Sequence, residues 1–325
     1  MLHAAPSCLR SGKSGLALIP SSGAIVNGAS AVMRPASGSA NAKFDPLIQI
    51  RDLIYNTAGI FQADNKLQIL EDRCRRRMKA LGVPTLGDYY ACLSVNSMRQ
   101  AEMVSLLNEI TIGETYFFRN RPQLDAVRKI VLPAIIEAKS KIGQTRLRIW
   151  SAGCSTGEEP FTLSMMLLEE SQGQLKGWAT EILATDLNER SITHAKAGCY
   201  GDYSTRNLEP DFRNKYFRIN GDKLQVKPEV KANVIFSRLN LLDDSRMLFA
   251  QNIDLILCCN VLIYFDTSSK KRVIQHFYRT LLPHGYLFLG HSESLYGINE
   301  DFRLVHMPSG TAYLKSENPD IHALR

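Results

Sequence analysis

The chain has 325 residues, enough for about two domains, and its 45% apolar and 22% charged content is ordinary for a globular protein. No apolar stretch approaches the ~20 residues that cross a bilayer as a helix. A net charge of +7 favours an acidic partner without choosing among nucleic acid, an anionic membrane and a carboxylate-rich protein. Seven cysteines with no C-x-x-C pair argue against a zinc ribbon or disulfide framework and point to a reducing cytoplasm.

In chain order, residues 1–43 are rich in Ala, Ser, Gly and Pro and nearly free of acid. They read as a disordered tail rather than a signal peptide. From Phe44 apolar residues recur at helical spacing: Leu53 and Ile54, then Leu67, Ile69, Leu70, Met78 and Leu81, with Gly82 and Val83-Pro84 ending that helix. Further helices are expected from about Leu86 to Leu93 and from Met98 to Ile110, which makes residues 44–121 a small all-helical domain. Arg73, Arg76 and Arg77 share a helix face at i, i+3, i+4 spacing. They are either a solvated basic face or a docking surface for an acidic substrate.

The remainder, residues 122–325, changes period. Short β-branched runs alternate with longer amphipathic segments, as in a parallel βαβ sheet. The runs are Leu147 to Ser151, Ile182 to Thr185, Val234 to Phe236, Ile253 to Cys258 and Tyr286 to Leu289. Phe302 to His306 and Thr311 to Leu314, joined by Pro308-Ser309-Gly310, read as an antiparallel hairpin at the sheet edge. A second hairpin around Asn220-Gly221 implies a small inserted β-subdomain at about 203–232.

The densest chemistry lies at Leu147 to Pro160, L-R-I-W-S-A-G-C-S-T-G-E-E-P, where a strand runs into a small-residue turn and a helix start. In open α/β sheets, ligands bind beyond such strand ends. A dinucleotide site lacks its G-x-G-x-x-G, and a P-loop lacks its lysine. Gly153 to Gly157 does match the G-x-S-x-G elbow of hydrolases, and Ser155, Asp254 and His291 can be assembled as a triad, although Asp254 stands ahead of its strand, away from the catalytic edge. A ligand with ribose hydroxyls and a positive centre suits Glu158, Glu159 and Asp186 better than one with phosphates. Asp186 closes the second strand, where an acidic side chain takes ribose hydroxyls or caps the next helix. Asn240 and Asn260 follow two neighbouring strands and are expected to face the same ligand.

In combination these motifs resemble the chemotaxis receptor methyltransferase (CheR) family over roughly Phe44 to Lys315. The residues that carry the resemblance are T-Y-F-F-R at 115–119, W-S-A-G-C-S-T-G-E-E-P at 150–160, A-T-D-L at 184–187, N-L-L at 240–242, N-V-L-I-Y-F at 260–265 and G-H-S-E-S-L at 290–295. The resemblance implies a class I S-adenosylmethionine methyltransferase: a Rossmann-like doubly wound α/β sheet with an N-terminal all-α domain and the inserted β-subdomain. It implies that Thr115, Arg119, Ala152, Gly153, Glu158, Asp186, Asn240, Leu241, Cys259 and Asn260 contact S-adenosylmethionine. S-adenosylhomocysteine would be the product, and no metal is called for. Arg119 would orient a carboxylate, and Tyr264 would flank methyl transfer or serve as a core aromatic beside Phe265.

The implied substrate is glutamate on the cytoplasmic methylation helices of chemoreceptors, reached by a monomeric cytoplasmic enzyme recruited to membrane receptor arrays. Two positions depart from the family pattern: Cys259 stands where Arg is common, and Gly113 where many members carry Asn. Both departures imply weaker cofactor contacts. The tight Asn220-Gly221-Asp222 turn, without the longer loop of members that tether to a receptor C-terminal peptide, implies direct recognition of the methylation helices. Three alternatives stay open on the residues alone: a non-catalytic cofactor-sensing module, an RNA methyltransferase suggested by the positive charge, and the serine hydrolase.

Overall fold

The computed structural model describes residues 45–111 and 113–316, so the expected tail lies outside the described residues. Four helices come first: α1 (Pro46–Ala58), α2 (Leu67–Leu81), α3 (Leu86–Ser94) and α4 (Asn96–Ile110). Local chemistry sets their ends. The Asp45 side chain accepts from Leu47 N ahead of Pro46, Thr85 accepts from Asp88 N, and Gly59 and Gly82 stop α1 and α2 in the left-handed region at φ 68° and 70°. Their apolar faces, including Ile50, Ile54, Leu70, Met78, Tyr89, Leu93 and Leu106, close one core.

That core contains an ion pair. Arg77 donates to both oxygens of Glu102 at 2.9 and 2.8 Å, and Tyr89 Oη donates to the same carboxylate at 2.8 Å. Arg77 is therefore corrected from docking residue to internal brace: it lies beside the buried Cys74 and Met78 on α2, next to α4, where the buried Glu102 carboxylate holds it. Arg76 is exposed, with Glu109 3.9 Å away.

α5 (Arg121–Ala126) and α6 (Leu132–Ser140), joined by a π-helical stretch at Val127–Val131, lead into the α/β part. There follow β1 (Arg146–Ala152), α7 (Glu158–Glu170), β2 (Ala179–Asp186), α8 (Glu189–Ala197), β3 (Cys199–Tyr200), α9 (Asp202–Thr205), α10 (Pro210–Tyr216), β4 (Phe217–Asn220), β5 (Lys223–Val226) and α11 (Pro228–Lys231). The chain ends its described part with β6 (Val234–Arg238), β7 (Ile253–Cys258), α12 (Thr267–Thr280), β8 (Leu281–Leu289), β9 (Phe302–Met307) and β10 (Gly310–Lys315).

Seven strands form one sheet in the order β6-β2-β1-β7-β8-β10-β9. β6, β2, β1, β7 and β8 run parallel, and β10 is antiparallel to both neighbours. The chain winds outward from β1 through β2 to β6, then returns to place β7 on the other side of β1. That reversal opens a crevice at the carboxyl ends of β1 and β7, the place where open sheets bind ligands. This is the class I S-adenosylmethionine methyltransferase fold that the sequence predicts.

The inserted unit is a three-stranded sheet, β3-β5-β4. It begins at Cys199, earlier than expected, because β3 is two residues long and leaves no periodic trace. Its hairpin turns at Gly221-Asp222, with Asn220 still paired to Lys223 and the positive φ of 63° on Gly221. The edge hairpin likewise turns on Pro308-Ser309, with Gly310 paired to Met307.

Side chains weld the helical layer to the strand ends. Asn188 Nδ2 donates to Asn108 O at 3.2 Å and Thr111 Oγ1 at 2.8 Å, and Asn108 Oδ1 accepts from Glu189 N at 2.9 Å. Tyr55 Oη donates to Asp266 at 2.9 Å, and Ile60 bridges Phe265. No helix among the described residues is long and apolar enough to cross a membrane.

Candidate cofactor-binding site

β1 delivers the chain into the turn Gly153 to Gly157. Gly153 N and Cys154 N both donate to Thr185 O, at 2.7 and 2.9 Å, tying the turn to the end of β2. Gly153 has φ 83°, and a Cβ there would stand 2.3 Å from Val261 Cγ2. Gly157 has φ 97°, and a Cβ there would meet that of Ala195 at 2.8 Å. Glycine is thus required twice, once for contact with the loop after β7 and once for helix packing.

A cavity of about 530 Å³ opens beside this turn, within the roughly 300–1,000 Å³ range of small-molecule sites. Thr115, Arg119, Gly153, Asp186, Asn240, Leu241, Cys259, Asn260 and Tyr264 all line it. Four separate strand ends and the segment after α4 therefore converge on one volume.

Two expected contacts do not line it. Ala152 packs beneath the turn in the core with Trp150 and Leu183. Glu158 is buried on the other side of its helix, where its oxygens accept from Ser204 Oγ at 2.8 Å and Thr156 Oγ1 at 2.7 Å. Of the two adjacent glutamates, the one that lines the cavity is Glu159, whose Oε1 accepts from Ser151 Oγ at 2.7 Å. Successive helical residues point about 100° apart, so only one of two adjacent glutamates can face the ligand.

Three carboxylates sit in the cavity wall: Glu114, which is exposed, and Glu159 and Asp186, which are desolvated. Burial raises the pKa of Glu159, opposed by the Ser151 hydrogen bond and the Arg119 charge. Burial also raises that of Asp186, opposed by backbone N–H groups: Oδ2 accepts from Ser155 N and Oδ1 from Asn188 N, each at 2.8 Å. Desolvated carboxylates favour a cation that restores a counter-charge, and Asp186 keeps lone pairs for hydroxyl donors. No lysine lines the cavity among the described residues.

The asparagines act differently from each other. Asn240 Nδ2 donates to Thr57 O at 2.8 Å and its Oδ1 accepts from Leu242 N at 3.1 Å, so its side chain joins the helical layer to the site. Asn260, at φ 61°, is held through its own N–H, which donates to Glu293 Oε2 at 2.9 Å. Glu293 also accepts from Gly290 N at 2.7 Å and Ile263 N at 3.2 Å. It thereby fixes the loop that carries Asn260 to Tyr264, a positioning role that no local pattern announced.

The departures have local partners. Cys259 Sγ lies 3.3 Å from Gln123 Oε1, and burial next to Glu159 pushes its thiol well above the usual range, so it stays a neutral thiol. At Gly113 an added Cβ would stand 2.7 Å from Ser155 Oγ, so a larger residue there would collide with this serine.

The hydrolase alternative fails on geometry. Ser155 Oγ is buried without a hydrogen-bond partner among the described residues. Asp254 is the second residue of β7 rather than ahead of it, and Lys139 Nζ holds its carboxylate at 2.7 and 2.9 Å at the far edge of the sheet. A nucleophile needs a base within hydrogen-bond reach and an orienting group behind it, and neither is in place.

Models of the family described as CheR methyltransferase match residues 46–111 as the all-alpha domain and residues 113–311 as the SAM binding domain. The chain belongs to the CheR methyltransferase family. Chemotaxis protein methyltransferase 1 of Pseudomonas aeruginosa is 36% identical over 280 residues, 85% of this chain and 98% of that protein. A chemotaxis protein methyltransferase of Borreliella burgdorferi is 34% identical over 258 residues, 79% of this chain and 90% of that protein. The cofactor of this CheR-family protein is S-adenosylmethionine, and the cavity fits it: two desolvated carboxylates for a ligand with a sulfonium, an ammonium and a ribose, and no lysine that would recommend a phosphate. With no hydrogen bond to lose at Ser155 Oγ, Ser155→Ala should keep methyl transfer within about threefold of the parent rate in a labelled-methyl assay. Abolished transfer would return the serine to the mechanism.

Proposed function

We propose that this protein esterifies glutamate side chains on the methylation helices of chemotaxis receptors, with S-adenosylhomocysteine as the other product. The observation that carries the proposal is the convergence of Asp186, Glu159, Arg119 and Tyr264 on one cavity in a chain of this family. S-adenosylmethionine, when bound, supplies a methyl group on a positively charged sulfur that a carboxylate oxygen can displace in line. A glutamate is already ionised at neutral pH, its ordinary pKa being about 4.3, so no general base is required. The chain's own work is positioning and exclusion of water.

In this proposal Asp186 accepts the ribose hydroxyls and Glu159 faces the cationic portion of the cofactor. Thr115, Gly153, Asn240, Leu241, Cys259 and Asn260 complete its walls. Arg119, held by its Nη1 donation to Glu114 O at 2.6 Å, orients a carboxylate of cofactor or substrate. Tyr264 lines the cavity half-buried, with its backbone carbonyl accepting from Phe61 N at 2.9 Å, and flanks the transfer region. The enzyme acts in the cytoplasm at receptor arrays, and residues 44–121 and 122–325 form its two domains.

The deciding experiment is incubation with labelled cofactor and receptor-containing membranes, followed by base treatment. Label released as methanol supports glutamyl ester formation. Cofactor binding without any transfer would favour a sensing module, and base-stable label in RNA would favour the nucleic-acid reading.

Glu159 also gives the site a pH signature. Its raised pKa means that it takes up a proton above the ordinary carboxylate range. Cofactor affinity should therefore fall as pH is lowered through that raised pKa. Glu159→Gln should bind weakly and lose its share of that dependence, keeping only the share due to Asp186, whose pKa is also raised, whereas Glu158→Gln should keep it whole. Calorimetry across the range checks both, and an unchanged profile in Glu159→Gln would remove this carboxylate from the cofactor contacts.

Arg73 and Arg76 remain as the proposed docking face of α2. Their joint reversal to glutamate should raise KM for receptor and leave cofactor affinity alone. Unaltered receptor kinetics at low salt would leave the face merely solvated.

A further inference from the structure

A second cavity of about 500 Å³ lies between α4 and the segment that follows β6. Its charge is unusual. Arg99 of α4, Arg238 at the end of β6 and Arg246 all line it, and none forms an ion pair among the described residues. Arg238 is partly occupied, its Nε donating to Leu187 O at 3.1 Å. The carboxylate in the cleft wall, Asp243, is already engaged, accepting from Ser245 N at 3.1 Å and Ser245 Oγ at 2.6 Å. Three guanidinium groups gathered around one concavity repel one another, and an anion there relieves the repulsion.

The floor narrows the class of anion. Met103, Val104 and Leu107 line the cleft, so its floor is apolar beneath its charges. That suits carboxylates on aliphatic stems. No aromatic ring lines the cleft among the described residues to stack a base.

Position supplies the second argument. Asn240 borders both this cleft and the cofactor cavity, and its Nδ2 is bonded to the carbonyl of Thr57, which also borders the cleft. We infer that the cleft receives an acidic segment of the methyl-accepting protein while the reacting glutamate of that protein enters the neighbouring cavity. The inference rests on the proposed receptor substrate. A helical substrate advances 1.5 Å per residue, so further acidic side chains on the reacting face, three, four and seven positions away, reach an adjacent cleft. Occupation of the cleft bears on the Asn240–Thr57 contact, which makes substrate docking and cofactor retention neighbours through one side chain.

The test uses the full chain, a purified chemoreceptor cytoplasmic fragment and saturating cofactor. Arg99 and Arg246 are exposed, so Arg99→Glu with Arg246→Glu should fold normally. The double variant should raise KM for the fragment about tenfold or more and flatten its salt dependence. Its kcat and cofactor affinity should stay within about twofold, and Arg99→Lys with Arg246→Lys should recover most of the loss. An unchanged KM at low salt, with the parent protein active, overturns the inference.

If the parent forms no base-labile ester on the fragment, it is the receptor substrate that fails. The cleft is then read by fluorescence anisotropy with a labelled glutamate-rich helical peptide. Binding lost on charge reversal upholds an acidic-peptide site, and equal binding by parent and variant overturns it. Displacement of the peptide by a lower concentration of ATP than of unlabelled peptide also overturns it, in favour of a nucleotide.

Discussion

Arg77→Met should destabilise the protein by about 3 kcal/mol, because it removes the partly exposed partner of an ion pair and leaves the buried carboxylate behind. Glu102 is 4% exposed, and after the change it would keep only the Tyr89 hydroxyl. Methionine approximates the arginine stem, so the loss reflects the stranded carboxylate rather than a void. Arg76→Met is the control. Its side chain is 62% exposed and 3.9 Å from Glu109, and the expected change is below about 1 kcal/mol. Urea unfolding of both variants separates the two, and equal midpoints would show that the Arg77–Glu102 pair contributes nothing. Arg77→Met with Glu102→Leu should recover much of the loss, since an apolar pair of similar volume often replaces a buried salt bridge at little cost.

Asp186→Ala should weaken S-adenosylmethionine binding by at least about 100-fold. Each charge-assisted hydrogen bond from a ribose hydroxyl is worth roughly 1.5–3 kcal/mol, and the proposed placement puts two at stake. The same carboxylate also anchors Ser155 N and Asn188 N, so the alanine variant loosens the turn after β1 as well as the ligand. Asp186→Asn keeps one of these two anchors, because its amide nitrogen cannot accept from a backbone N–H. It preserves shape and one acceptor oxygen while removing the charge, and it should lose affinity to a lesser extent. Calorimetric titration with S-adenosylhomocysteine reads both, and parental affinity in Asp186→Ala would exclude it from the cofactor site.

The parts of this architecture visible in the sequence are those with a period or a fixed turn chemistry. Apolar runs mark the five parallel strands, Gly82 sits where a left-handed cap belongs, and Gly153 and Gly157 bracket a turn that no Cβ could enter. What stayed hidden depends on rotational phase or distant partners. Glu158 and Glu159 are equivalent in composition, and only the rotational phase of α7 in the fold turns the first toward Ser204 of α9 and the second into the cavity. Arg77 resembles its exposed neighbours until α4 delivers Glu102 from 25 residues away. Glu293 holds the 260–264 loop across more than 25 residues of chain, a relation that carries no spacing rule.

The contacts of Asn188 with Asn108 and Thr111, and of Asn240 with Thr57, also bear on how the protein can be dissected. Ala58, Ile60 and Ile110 of the helical layer belong to the same cavity wall as Asp186 and Asn260. A ligand seated there touches both layers, so its binding free energy also opposes their separation. Saturating cofactor raises the cost of pulling the layers apart by RT ln(1 + [L]/Kd), about 2.7 kcal/mol at a hundredfold excess over Kd. Occupancy of the cofactor site and cohesion of the two halves are thermodynamically one variable, and a truncated sheet half would present a groove where the intact chain presents a chamber.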